Sequence, residues 1–184
     1  MRVLGIAGSP RREGNSEILL DRFLEGARSK GASAIKVVAC EKKIFPCLGC
    51  GCCHAGPCPL KDEMGEILDL LRQCEVVAIA APVYFSGLPA PLKTLIDRCQ
   101  PLWVEKYLQG RVRPERKGYF FNTGARNSPD TFIGSLETAK ALFFTLDLAW
   151  SGKLLAPGLD GKGEILSRPS LLEQAEKMGS NFDF

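Results

Sequence analysis

The chain has 184 residues, of which 45% are hydrophobic and 24% charged, an ordinary composition for one globular domain. Its net charge of +3 is mild, and no dense lysine and arginine face is visible, so the charge does not favour nucleic-acid binding. The longest uncharged window, residues 76–92, contains three prolines and is a poor membrane span. The first residues lack the apolar stretch and cleavage site of a secretory signal. We therefore expect a cytoplasmic protein with no membrane partner.

Short apolar runs alternate with helical patterns along the whole chain. The predicted strands are residues 3–7, 34–39, 76–81, 118–121 and 149–155. The third run is apolar at every position, which is typical of a strand buried on both faces of a parallel sheet. The alternation of strand and helix predicts an α/β fold built on a doubly wound sheet of five parallel strands.

No internal repeat and no domain boundary is visible. We therefore predict a single domain over residues 1–184, with a cysteine-rich loop at residues 46–61. In doubly wound sheets, ligands bind beyond the carboxyl ends of the strands. The loops that follow the strands are therefore the places where functional residues are expected.

The loop after the first strand, residues 8–16, is rich in glycine and serine and leads into a helix. Unpaired N–H groups and the helix dipole make such a helix start an anion site. Hydroxyl, amide and guanidinium donors are available from four residues, namely Ser9, Arg11, Asn15 and Ser16. The loop lacks the lysine of a Walker motif and the three spaced glycines of a dinucleotide motif, so it fits a phosphate monoester that is held rather than transferred. The alternative is a polar turn in which Ser16 is an ordinary N-cap.

The loop after the third strand combines two adjacent aromatic residues with prolines. Tyr84 and Phe85 can offer a flat apolar wall to a ring system, and backbone N–H groups can meet ring heteroatoms. The alternative is that both aromatic residues belong to the core and that Pro91 opens a helix. Residues 122–127, after the fourth strand, form another small polar turn on the same rim.

Two segments of the chain resemble the NADPH-dependent FMN reductase family. They are Gly8-Ser9-Pro10-Arg11 with Gly14-Asn15-Ser16, and Pro82-Val83-Tyr84-Phe85 with Pro91-Leu92-Lys93 and Ile96-Asp97-Arg98. The resemblance implies a three-layer flavodoxin-like fold with strand order 2-1-3-4-5, and an FMN-dependent oxidoreductase. It implies that the FMN phosphate binds to Ser9, Arg11, Asn15 and Ser16. It also implies that the flavin ring lies against Pro82, Val83, Tyr84, Phe85 and Ser86, with Asn122, Thr123 and Gly124 closing the pocket.

The cysteine-rich loop follows the spacing C-x2-C-x2-C-x4-C. The four positions are Cys47, Cys50, Cys53 and Cys58, and a proline follows the last. Spacings of two let successive sulfurs converge on one small centre, and intervening glycines permit a tight backbone. The run is close to the bacterial ferredoxin run and lacks the two separated knuckles of structural zinc. The residues favour an iron–sulfur cluster, while zinc, free thiols and a redox disulfide stay open.

This run resembles the compact cysteine motif of archaeal and bacterial iron–sulfur flavoproteins, a branch of the same FMN-binding fold. The resemblance implies a [4Fe-4S] cluster on Cys47, Cys50, Cys53 and Cys58, near FMN, in a homodimer or homotetramer. The segment Lys61-Asp62-Glu63-Met64 is also similar to that branch, and Asp62 is predicted to cap the next helix. Cys52 leaves the third ligand open, although the spacing favours Cys53. We interpret His54 as a plain loop residue.

Three functions follow as hypotheses. The first is an electron-transfer flavoprotein whose cluster relays electrons to or from the flavin, with a ferredoxin or a small-molecule oxidant as partner. The second is an NAD(P)H-dependent FMN or quinone reductase without a cluster. The third is a redox sensor that docks a partner when the cysteine loop oxidises. No acid–base catalyst is predicted, because the cofactors carry the chemistry, and residues 133–184 show no chemistry in their sequence.

Overall fold

The computed structural model describes residues 1–182, apart from the side chain of residue 129, so the predicted domain extends two residues beyond the described range. Within that range the strands are β1 (Arg2–Ala7), β2 (Ser33–Val38), β3 (Val76–Pro82), β4 (Arg116–Gly124) and β5 (Leu148–Pro157). The α-helices are α1 (Asn15–Ser29), α2 (Met64–Gln73), α3 (Ala90–Asp97), α4 (Gln100–Tyr107), α5 (Ile133–Thr145) and α6 (Pro169–Ser180).

All neighbouring strands pair in parallel, in the order β2-β1-β3-β4-β5. The predicted flavodoxin-like sheet of order 2-1-3-4-5 is therefore confirmed. Alternate residues of a strand point to opposite faces. In β1, Leu4 and Ile6 join the core layer that also holds α2 to α5, whereas Val3 and Ala7 join the layer beneath α1 and α6. The fold is thus a three-layer α/β structure, as expected.

The apolar residues between Leu88 and Cys99 follow a helical spacing, which predicts one continuous helix there, and the structure differs. Leu88 lies before α3, which ends at Asp97, and Cys99 lies in the short link to α4. Pro101 stands at the start of α4, and proline favours a helix start over a helix interior. The chain therefore begins a second helix where the apolar periodicity alone predicts one continuous helix. Among the described residues, no helix is both long enough and apolar enough to cross a membrane.

Helices α1 and α6 approach each other closely at two glycines. A Cβ atom added to Gly179 would overlap the carbonyl oxygen of Phe23, and one added to Gly26 would overlap the carbonyl oxygen of Glu176. The missing side chains allow backbone to pack against backbone. As a result, the last helix of the chain is fixed against the helix that follows the first polar loop.

We predict that Gly179→Ala lowers the free energy of unfolding by roughly 1–3 kcal/mol, because the added methyl group overpacks the contact with Phe23. Gly65→Ala is the matched control, since Gly65 is an exposed helical residue whose Cβ position has no neighbour within 4 Å. We expect the control to be neutral or to stabilise by up to about 1 kcal/mol. Urea unfolding followed by circular dichroism measures both. Equal effects of the two substitutions would contradict the close approach.

Candidate functional site

The loops after β1, β3, β4 and β5 meet in one cleft at the carboxyl edge of the sheet. Nine of the sequence-predicted residues line it, namely Ser9, Arg11, Asn15, Ser16, Pro82, Val83, Tyr84, Thr123 and Gly124. Four residues outside the predicted site also line it, namely Gly14, Ala125, Leu159 and Asp160. Phe85 and Ser86 line an adjoining cavity instead, and Asn122 lies behind the cleft wall.

The first polar loop leads directly into the start of α1. Gly14 is the N-cap, in an extended conformation, and no side chain caps the helix. Ser16 therefore lies inside the first turn and is not the N-cap of the alternative interpretation. The Ser9 hydroxyl accepts a hydrogen bond of 3.0 Å from the N–H of Arg11, which folds the loop back on itself. The N–H groups of the first helical turn have no partner within the helix, so this end of the cleft suits an anion.

Glu17, which the sequence did not single out, is a buried carboxylate behind this loop. It accepts hydrogen bonds from Arg12 at 2.9 Å, from Lys36 at 3.0 Å and from the N–H of Glu13 at 2.7 Å. Burial alone would raise the pKa of Glu17, but the hydrogen bonds from Arg12, Lys36 and Glu13 outweigh it and lower the pKa to about 2. The carboxylate is thus ionised at neutral pH and holds the loop in place.

Asn15 connects the loop to a distant part of the chain. Its side-chain N–H donates to the carbonyl oxygen of Gly161 at 2.9 Å, and its side-chain oxygen accepts the N–H of Ile165 at 3.1 Å. The Arg11 guanidinium donates to the carbonyl oxygen of Asp160 at 2.8 Å. The segment after β5 therefore forms a wall of the cleft. Part of residues 133–184 thus has a role that their sequence did not reveal.

The loop after β3 forms a tight hairpin turn. The N–H groups of Tyr84 and Gly87 each bond to the other residue's carbonyl oxygen, at 3.0 and 2.9 Å. Between them, Phe85 and Ser86 have φ angles of 48° and 62°, a pair of left-handed residues typical of a type I′ turn and strained for residues other than glycine. Tyr84 and Phe85 are both exposed, so the alternative that they belong to the core is wrong. The other part of that alternative is correct, because Pro91 stands in the first turn of α3.

Asn122 is fully buried at the end of β4. Its side-chain N–H donates to the carbonyl oxygen of Ala81 at 2.7 Å, and its side-chain oxygen accepts the hydroxyl of Ser135. The side chain therefore joins β3, β4 and α5 rather than facing the cleft. Thr123 and Gly124, the next two residues, do line the cleft.

A second pocket lies in the cysteine-rich loop. All four cysteines of the predicted set line it, namely Cys47, Cys50, Cys53 and Cys58, together with His54, Arg98 and Gln100. Cys52 does not line this pocket, and its Sγ lies 4.0 Å from the carbonyl oxygen of Cys50. Burial raises the pKa of the Cys53 thiol. Among the described residues, no three His, Cys, Asp or Glu side chains already stand in a metal-holding arrangement.

Comparison with known proteins bears directly on these two pockets. Residues 1–114 match the sequence profile of the family described as NADPH-dependent FMN reductase, which is more than half of the chain. The chain belongs to this family. The matched residues include both segments that carried the resemblance, as well as the whole cysteine-rich loop.

Within the FMN reductase family, the chain is similar to iron–sulfur flavoproteins. It is 37% identical over 113 residues to one from Methanocaldococcus jannaschii, covering 61% of this chain and 58% of the relative. It is 39% identical over 112 residues to one from Archaeoglobus fulgidus, covering 60% and 51%. The matches thus span little more than half the length of these relatives. The predicted branch of the family is confirmed.

The fold recurs in solved structures. An FMN-dependent NADH-azoreductase from Bacillus anthracis, solved in complex with FMN, matches with a TM-score of 0.71 and 15% identity, over 98% of this chain and 100% of that one. At this identity, the likeness concerns the fold alone. It agrees with the three-layer architecture of this FMN reductase family member.

We predict that Glu17→Gln destabilises this family member by roughly 3 kcal/mol at neutral pH, because the pKa of Glu17 falls from 4.5 to about 2. A lowered folded-state pKa stabilises above pH 4.5, and that stabilisation is lost as the pH falls towards 2. The difference in unfolding free energy between wild type and variant should therefore shrink over that interval. Denaturant unfolding at several pH values measures it.

The control for this prediction is Glu25→Gln, which removes an exposed carboxylate from the same helix. We expect it to change stability by less than about 0.5 kcal/mol at any pH. If the Glu17 and Glu25 variants showed the same dependence on pH, the structural role of Glu17 would be refuted.

Proposed function

We propose that this protein is an FMN-dependent oxidoreductase in which a [4Fe-4S] cluster relays electrons to or from the flavin. The observation that carries the proposal is the relation of the two pockets to α3. The cleft at the carboxyl edge is bordered by the loop that leads into α3, and the cysteine pocket is lined by Arg98, directly after its last residue. The eight residues of α3, at 1.5 Å each, span about 12 Å between this loop and Arg98.

The cleft at the carboxyl edge has the chemistry that FMN needs. In our proposal, the phosphate binds at the start of α1, to the N–H groups of the first turn and to Ser9, Arg11 and Ser16. Asn15 contributes by holding the wall around Gly161, as its hydrogen bonds indicate. These groups are fixed before a ligand arrives, so little ordering of the chain opposes binding.

The flavin ring has an apolar wall available beside the phosphate site. Pro82, Val83 and Tyr84 border the cleft on one side, and Thr123 and Gly124 border it on the other. Phe85 and Ser86 border the adjoining cavity, which we propose as the place where an electron acceptor or donor approaches. We propose that Asn122 acts indirectly, by aligning the ends of β3 and β4 through Ala81 and Ser135.

The thiol chemistry of the second pocket fits an iron–sulfur cluster, because four cysteine residues line it. We propose Cys47, Cys50, Cys53 and Cys58 as its ligands, and Cys52 as a free thiol. When bound, FMN exchanges electrons singly or in pairs and the cluster exchanges them singly. The protein's own contribution is to hold the two groups, exclude water from them and set the distance between them.

The wider setting of this activity also belongs to the proposal. A ferredoxin or a small-molecule oxidant is the proposed partner, with NAD(P)H as a candidate donor. A cytoplasmic location suits the need for reduced thiols. A homodimer or homotetramer is supported by exposed aromatic side chains on α4 and α5, where the Tyr107 ring lies 5.2 Å from that of Trp103 and 6.4 Å from that of Phe144. We also propose that the whole chain forms one flavodoxin-like domain.

We predict that the protein binds FMN more tightly than riboflavin, because riboflavin lacks the phosphate. Arg11→Gln should weaken FMN binding roughly tenfold to a hundredfold, as expected for loss of a charge-assisted hydrogen bond, and leave riboflavin binding unchanged. Arg22→Gln, an exposed change on α1, is the control. Quenching of flavin fluorescence measures all affinities. Equal losses for FMN and riboflavin would place the phosphate elsewhere.

We predict that anaerobically reconstituted protein holds about four iron atoms per chain. Cys53→Ser should lose most of this iron, whereas Cys52→Ser should keep it, because only Cys53 of this adjacent pair lines the pocket. Metal analysis and the visible spectrum report both results. The opposite pattern would make Cys52 the third ligand.

The same preparations separate the proposal from its rival. An NAD(P)H-dependent FMN or quinone reductase would be favoured if wild-type protein holds no iron and NADPH rapidly bleaches its bound flavin, and if the bleaching survives Cys50→Ser. Protein that binds neither flavin nor iron would refute both functions.

A further inference from the structure

Arg98 and Asp62 form a buried ion pair between α3 and the cysteine-rich loop. Their side chains are only 4% and 1% exposed. The two guanidinium nitrogens of Arg98 reach both carboxylate oxygens of Asp62, at 2.6 and 3.1 Å. Two parallel charge-assisted hydrogen bonds of this kind fix both the distance and the plane of the pair. An ion pair with so little exposed surface is costly to form unless further hydrogen bonds satisfy both charges.

The pair closes the cysteine-rich loop at both of its ends. The Asp62 carboxylate accepts the N–H groups of Phe45 at 2.8 Å and of Met64 at 3.1 Å. Arg98 donates to the carbonyl oxygen of Phe45 at 2.7 Å. Phe45 precedes the first cysteine by two residues, and Asp62 follows the last by four. One ion pair therefore joins the beginning of the loop, its end and α3.

The Arg98 guanidinium also reaches the cysteine pocket, which Arg98 lines. The terminal nitrogen that donates to Asp62 Oδ1 at 3.1 Å lies 3.6 Å from the Sγ of Cys58. This contact with the sulfur is additional to the hydrogen bonds that join the two chain segments. Asp62 makes no such contact, since its oxygens are used by Arg98, Phe45 and Met64. The cation thus lies between the carboxylate and the pocket.

We propose that Arg98 is a positioning residue that orients Cys58 and raises the reduction potential of the group held in the cysteine pocket, with Asp62 fixing its guanidinium. This inference rests on the proposed cluster. A reduced cluster carries one more negative charge than the oxidised one, so a fixed cation beside a ligand sulfur stabilises the reduced form. A hydrogen bond to the sulfur acts in the same direction. The nearby carboxylate acts in the opposite direction and limits the effect.

The test measures the midpoint potential of the anaerobic holoprotein by spectroscopic titration. Arg98→Gln should shift the one-electron equilibrium towards the oxidised form by roughly tenfold, which is a lowering of ~59 mV. Asp62→Asn should raise the potential, because it removes a negative charge and keeps the cation. Arg98→Lys should keep the potential close to that of wild type, since it keeps the charge but loses the planar fork. Lys93→Gln removes an exposed cation from the same helix and should cause no shift.

Opposite shifts in the Arg98→Gln and Asp62→Asn proteins support the inference, because a loss of structure alone would not shift the midpoint potential in opposite directions in the two proteins. Unchanged potentials, or shifts in the same direction, would overturn it. If Arg98→Gln does not retain iron, the Asp62→Asn shift decides alone: upward supports the inference, and any other result overturns it. Loss of iron from all three proteins substituted at Arg98 or Asp62 would also overturn it, because the ion pair would then have a purely structural role. Wild-type protein without iron would overturn the proposed cluster as well, whereas normal iron with unshifted potentials would overturn only this inference.

Discussion

The burial of the central strands on both faces is the constraint on which the rest of the molecule depends. Because β1 and β3 are covered by helices on each side, their side chains must be apolar and only their ends can carry polar groups. Parallel pairing then places the carboxyl ends of β1, β3, β4 and β5 at one edge of the sheet. The polar loops that follow these strands converge there because polar residues are excluded from the buried strands.

Several polar side chains at this edge form hydrogen bonds to other parts of the protein. Asn15 and Asn122 use both ends of their amides to join separate segments, and Glu17 holds the first loop from behind. Such groups are fully satisfied, so they add rigidity without the cost of an unpaired buried polar atom. The cleft wall is therefore fixed by hydrogen bonds within the protein.

Sequence reasoning succeeded where the information is local. The uninterrupted apolar run of β3, the helix that follows the first polar loop and the spacing of the cysteines each depend on residues close together in the chain, and each corresponds to an observed feature. It failed where partners are distant. Asn15 meets Gly161 across 146 positions and Arg98 meets Phe45 across 53, and no periodicity encodes such a pairing. Glu17 was missed because a carboxylate in the first turn of a helix is ordinary in sequence, and only its burial makes it exceptional.

The part of the chain that the family profile covers ends at residue 114, just before β4 begins at Arg116. In the intact sheet, β3 lies between β1 and β4. A fragment cut at that boundary would turn β3 into an unprotected edge strand, with an apolar run of high β-propensity and free hydrogen-bonding groups, which is a typical aggregation site. The match to the family profile thus covers less of the chain than the complete sheet needs. The rest of the chain covers that edge of β3 with β4, and it also brings Leu159 and Asp160 to the cleft.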